Sequence, residues 1–125
     1  MSRSEYDILI VEDTPEFAKL TMLTLERYGY DNAHHASNGE EAMRYVDEKK
    51  PALMLLDLNL PGMTGWQVLD ALKERHGELP VIVTTAQSDT ANRVVGKLQN
   101  VYKYLVKPFS PQDLVKTIDA ALGFE

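Results

Sequence analysis

Apolar runs and helical stripes alternate along this chain five times, and that alternation narrows the possible folds more than any other feature. Ile8-Leu9-Ile10-Val11, Ala52-Leu53-Met54-Leu55-Leu56 and Val81-Ile82-Val83-Thr84-Thr85 are continuous β-rich runs. Continuous rather than alternating apolarity marks strands covered on both faces. Tyr102–Val106 is more mixed and fits an edge, and the weaker Asp31–Ala36 is polar enough to be the other edge. Between the runs lie five helix patterns. The first follows Asp13 with Thr14-Pro15-Glu16, a start signal in which Asp13 doubles as an N-cap, and carries Ala18, Met22 and Leu25. Ser37-Asn38-Gly39-Glu40 opens the second, with Ala42 and Val46. Thr64 opens the third, with Gly65, Val68, Leu69 and Leu72, closed by His76-Gly77. Ser88 or Asp89 starts the fourth, through Val94, Val95 and Leu98, and Ser110-Pro111 starts the fifth, with Leu114, Ile118, Ala121 and Leu122. Strand followed by helix, repeated with short connections, predicts a parallel sheet with right-handed crossovers and helices on both faces.

Length and composition agree. The chain has 125 residues, 13 Lys+Arg against 19 Asp+Glu for a net charge of −6, and no Cys. That length predicts one domain, residues 1–125, with no output domain. The missing thiols exclude disulfides and thiolate metal sites, and the acidic balance argues against direct nucleic-acid binding. No apolar leader is visible in Met1-Ser2-Arg3-Ser4-Glu5, and the apolar runs are far shorter than the ~18 residues of a membrane span. The expectation is a soluble cytoplasmic domain without membrane insertion.

In folds of this kind the functional crevice lies at the carboxyl ends of the strands. Glu12-Asp13 follow the first run, Asp57 the third in chain order, Thr85 ends the fourth and Lys107-Pro108 follow the fifth. Three carboxylates, a hydroxyl and an ammonium therefore aim at one place. Clustered carboxylates repel one another and call for a cation, and oxygen ligands without His or Cys suit a hard ion, Mg2+. A metal, a cation, a hydroxyl donor and a carboxylate nucleophile are the parts of phosphoryl transfer. Asp57 is the natural nucleophile, because it ends the most buried run while the adjacent Glu12 and Asp13 can share the ion.

These residues carry a resemblance. Ile8-Leu9-Ile10-Val11-Glu12-Asp13, Leu55-Leu56-Asp57 through Gly65, Val81-Ile82-Val83-Thr84-Thr85-Ala86 and Tyr104-Leu105-Val106-Lys107-Pro108-Phe109 resemble, in order and spacing, the receiver domain of two-component response regulators, in its stand-alone form resembling the chemotaxis response regulator. The resemblance implies a flavodoxin-like (βα)5 fold, doubly wound, with strand order 2-1-3-4-5. It implies that Asp57 accepts a phosphoryl group from a sensor histidine kinase or a histidine phosphotransfer protein. Glu12, Asp13, Asp57 and the backbone carbonyl of Asn59 would bind Mg2+. Thr85 and Lys107 would hold phosphoryl oxygens, Tyr104 would be the switch aromatic, and Lys107-Pro108 would be a cis peptide. Asn59 and Gln87 would tune phosphate lifetime. The surface of the fourth helix, fifth strand and fifth helix would address a downstream protein. Many receivers carry Gly-Ala where this chain has Asn100-Val101, and Asn tolerates the left-handed turn that Gly would serve.

Other polar and aromatic residues read more plainly. His34 and His35 are neighbours on an edge strand, point to opposite faces and cannot converge on a metal. His76 suits a helix C-terminus, Trp66 is expected to be partly packed, and Asp47-Glu48-Lys49-Lys50 is a solvated helix end. Tyr102 is a surface aromatic or a partner anchor. Alternative readings are a receiver piece of a larger regulator or hybrid kinase, a Mg2+-dependent aspartyl phosphatase, and a flavodoxin-like cofactor binder. The phosphatase would want a second acid where Asn59 stands. The cofactor binder would want a phosphate-cradling loop where Glu12-Asp13-Thr14-Pro15 stands.

Overall fold

The structure is a computed structural model that describes residues 2–86 and 101–124. The fourth helix expected from the sequence, together with Gln87 and Asn100, lies outside the described residues. Five strands, β1 (Ile8–Val11), β2 (Ala33–Ala36), β3 (Leu53–Asp57), β4 (Val81–Thr85) and β5 (Val101–Val106), form one parallel sheet in the order β2-β1-β3-β4-β5. Four helices are seen among the described residues: α1 (Pro15–Arg27), α2 (Gly39–Lys49), α3 (Gly65–Arg75) and a C-terminal helix (Pro111–Leu122).

Strand periodicity sorts the core into two layers. Leu9, Val11, Met54, Leu56, Val81 and Val83 face α2 and α3, meeting Val46, Val68, Leu69 and Leu72. Ile8, Ile10, Leu53, Leu55 and Ile82 face the other way, toward Leu25 of α1 and Leu114 and Ile118 of the C-terminal helix. The central strands β1, β3 and β4 are buried along their whole length, which is why their sequences run apolar without alternation. The outer strands β2 and β5 are partly exposed.

Local chemistry sets the ends of the elements. Thr64 and Gln67 form a reciprocal capping box at α3, Asn38 caps α2 and Ser110 caps the C-terminal helix. One expectation changes. The N-cap of α1 is Thr14, which makes no side-chain cap bond, and not Asp13. The Asp13 carboxylate instead gathers with those of Glu12 and Asp57, while Pro15 opens the helix without needing an N–H partner. At the far end of the sheet, Arg3 donates two hydrogen bonds of 2.9 Å to Asp119, which also accepts from Tyr30, fastening the N-terminal turn to the C-terminal helix. Those donors hold the Asp119 carboxyl below its ordinary range, the Arg3 bond first.

Gly65 lets α3 begin directly against β3. A Cβ there would stand 2.5 Å from Leu58 Cα and 2.8 Å from the Asp57 carbonyl oxygen, both backbone atoms that cannot swing aside. Gly65→Ala is therefore expected to destabilise the domain by about 2 kcal/mol through overpacking. Urea unfolding checks this, and a change under about 0.5 kcal/mol would show that the contact is relieved at no cost.

Candidate functional site

Register brings the acids together. β1 and β3 pair with Val11 opposite Leu56, so the next residues, Glu12 and Asp57, stand side by side. Both continue the Ile8–Ile10 and Leu53–Leu55 parity and so point to the same face. Glu12 is 2% exposed and Asp57 5%. Asp13, one residue on, is exposed, and one carboxylate oxygen from each of the three lies within 4.8 Å of the others. Oxygens on a single small divalent ion can be no more than about 4.2 Å apart, twice a ~2.1 Å bond. The cluster is thus close to the size of one hard cation, and its all-oxygen chemistry fits one.

Lys107 approaches from the opposite side. Its backbone N–H donates to the Thr85 carbonyl at 2.7 Å, and the Lys107-Pro108 peptide is cis as expected. Its Nζ donates to Glu12 Oε1 at 2.8 Å and to Asp57 Oδ2 at 3.3 Å. The other oxygens of the acids are also held: the Asn59 N–H donates to Asp57 Oδ1 at 3.0 Å and the Thr14 N–H to Glu12 Oε2 at 3.2 Å. Thr85 ends β4 with 1% exposure. Tyr104 on β5 is half-buried against the core layer that holds α2 and α3.

Electrostatics follow from burial. Desolvation pushes the Glu12 carboxyl above its ordinary range and the charge of Asp57 adds to this, while the Lys107 hydrogen bond opposes it. A carboxylate whose folded pKa is raised subtracts stability as pH rises through that range. Burial and a like-charge neighbour thus act against the charged form of Glu12, and Lys107 acts for it.

The structure gathers Glu12, Asp13, Asp57 and Lys107, with Asn59 contributing its N–H, and places Thr85 at the adjoining strand end. Gln87 lies outside the described residues. Two neighbours were missed from the sequence. His35 Nε2 is 2.7 Å from the Glu12 backbone oxygen, so this edge-strand histidine braces the acid loop, whereas His34 is exposed and bonds Asn32. Phe17 places its ring under Lys107, with Nζ 4.3 Å from the ring centroid. Phe17 lies off the Ala18–Met22–Leu25 stripe, and an aromatic off the buried stripe in the first turn after the acid pair was its one available signal. Away from the site, Trp66 is partly packed on the core, and His76 contacts Asp47 at 2.7 Å, joining α3 to α2.

Comparison with known proteins bears on the same residues. Residues 8–119 match the response regulator receiver domain family. The transcriptional regulatory protein SrrA of Staphylococcus aureus is 42% identical over 116 residues, which are 93% of this chain and 47% of SrrA. The chain thus spans about half the length of that relative. A receiver domain protein (CheY-like) from Methanospirillum hungatei JF-1 superposes with a TM-score of 0.85 at 27% identity, over 94% of each chain. NtrX from Brucella abortus, solved in complex with ATP, superposes with a TM-score of 0.84 at 28% identity, over 94% of this chain and 27% of NtrX.

Removing the Lys107 ammonium leaves Glu12 and Asp57 buried with backbone N–H donors but without that opposite charge. Lys107→Met is expected to lower stability at neutral pH in metal-free buffer by about 3 kcal/mol. The deficit should shrink as pH falls through the carboxylate range, because protonation removes the unpaired charge. Denaturant titrations across pH check this, and a deficit independent of pH would mean that Lys107 acts by packing alone.

Proposed function

Because this chain belongs to the response regulator receiver domain family, we propose that it is a phosphoacceptor switch of a two-component phosphorelay, with Asp57 as the acceptor. The observation that carries this reading is the buried Asp57 carboxylate at the sheet's carboxyl edge, gathered with Glu12 and Asp13 and bonded by Lys107. An Asp57 oxygen attacks the phosphorus of a phosphohistidine on a sensor kinase or phosphotransfer protein. An O–P bond forms, the P–N bond breaks, and its electron pair stays with the imidazole, which takes a proton from solvent. Lys107 and Thr85 hold the phosphoryl oxygens. Glu12, Asp13, Asp57 and the Asn59 carbonyl would hold Mg2+, which when bound offsets the repulsion between the entering phosphoryl group and the acids. The family resemblance assigns Asn59 and Gln87 the tuning of the acyl phosphate's hydrolysis.

Phosphorylation adds charge and acceptor oxygens at one edge of the sheet. Thr85 then moves toward them and Tyr104 turns further inward, changing the face built on the fourth predicted helix, β5 and the C-terminal helix. That face addresses a protein target. The net charge of −6 supports output through protein contact and not direct nucleic-acid contact by these residues. Among the described residues no helix is long and apolar enough to cross a membrane, which is compatible with a cytoplasmic place of action. The chain turns over no external substrate beyond its own phosphorylation and dephosphorylation. The transcriptional role in the name of SrrA belongs to that longer protein.

Two outcomes are expected. Acetyl phosphate with Mg2+ adds one phosphoryl group by intact mass, and Asp57→Asn abolishes the gain. Turnover of many phosphomonoesters, or an unlabelled wild type, would favour the phosphatase reading or reject both. Separately, Mg2+ at about 100 times its Kd stabilises the wild type by about 2.7 kcal/mol. Asp13→Asn keeps or raises metal-free stability, since one repelling charge is gone, but loses more than half of the shift at the same Mg2+ concentration. An undiminished shift would place the ion elsewhere.

A further inference from the structure

Phe17 is a neighbour of the Lys107 ammonium for which the phosphoacceptor reading has no use. We propose that Phe17 is a positioning residue, whose π face seats the Lys107 ammonium beside Asp57. The inference rests on the phosphoacceptor reading and assigns a further residue to it. Lys107 Nζ lies 4.3 Å from the Phe17 ring centroid, well inside the ~6 Å reach of a cation–π contact. The ring is partly buried. It packs edge-to-face with Phe109 at 5.9 Å and 87°, and Phe109 follows the Lys107-Pro108 peptide directly. The space beside it, lined by Phe17, Phe109, Thr21, Thr84, Glu12 and residues of β1 and β3, is a cavity of about 10 Å3, at the lower edge of what one water needs. The ammonium therefore has carboxylates on one side and an aromatic face on the other.

Chemistry gives that seat its purpose. Lysine is a point charge on a flexible four-carbon stem. In this structure its firmest side-chain bond is the 2.8 Å contact to Glu12, with 3.3 Å to Asp57. Glu12 is also one of the three acids clustered closely enough for a cation. A cation taken up there competes for the same carboxylate and loosens the lysine. The Phe17 ring binds no metal and keeps its hold on the ammonium, so the charge stays where phosphoryl oxygens arrive. Orientation of that kind raises a rate without contributing a reacting atom.

Fluorinated phenylalanines at position 17 test this, because fluorine drains the ring's negative face with little change in size. Phosphorylation by acetyl phosphate at saturating Mg2+ is followed for Phe, mono-, di- and trifluorophenylalanine, Phe17→Tyr and Phe17→Leu. The rate should fall stepwise with fluorine number, to about fivefold for the trifluoro ring and for Leu, while Tyr stays within about twofold of wild type. In metal-free protein, the Lys107 side-chain protons should show an upfield ring-current shift that Phe17→Leu removes. Equal rates across the fluorine series, or a Leu variant as fast as wild type, would overturn the role of Phe17 and leave the phosphoacceptor reading standing. No labelling in any variant, wild type included, would instead reject that reading.

Discussion

Glu12 and Asp57 are carboxylates almost wholly withdrawn from water, side by side at one edge of a sheet, and such charges persist only when something positive answers them. Lys107 supplies that answer from 95 positions away in sequence. Burial pushes the Glu12 carboxyl upward even so, and the Lys107 hydrogen bond opposes that shift. The remaining architecture serves to hold these like charges together. Parallel pairing of β1 with β3 sets the acids abreast, and the bond from the Lys107 N–H to the Thr85 carbonyl fixes where the lysine stem departs.

The same constraint explains the tight packing beneath the site. α3 starts against β3 because Gly65 has no side chain, its N–H donating to the Leu58 carbonyl at 3.2 Å. The loop that carries Asn59 is thereby held short, and the Asn59 N–H reaches Asp57. On the other flank, His35 and the Thr14 N–H hold the backbone and the carboxylate of Glu12. Backbone donors do much of the work that a pool of water would do at an exposed carboxylate.

Much of this was legible in the sequence because it rests on periodicity and on strand ends. Continuous apolar runs reported the buried central strands, and the polar residues that end them reported the site. Strand β3 ends one residue later than its apolar run, since Asp57 keeps its place in the ladder while its side chain turns to the crevice. Asp13 carried two readings, helix cap and member of the acid cluster, because an acid before Thr-Pro-Glu suits either role; the structure caps the helix at Thr14 and gathers Asp13 with Glu12 and Asp57. Phe17 and His35 were missed for a similar reason. Their partners, the Lys107 ammonium and the Glu12 carbonyl, are 90 and 23 positions distant, and nothing in local spacing announces them.

An acyl phosphate at one carboxylate is a species that chemistry can locate directly. Borohydride reduces an acyl phosphate to the alcohol, converting a phosphorylated aspartate to homoserine that peptide mass spectrometry assigns to a position. After treatment with acetyl phosphate and Mg2+, homoserine is expected at residue 57. No homoserine at residue 57, or a reduced acid at another position, would contradict it.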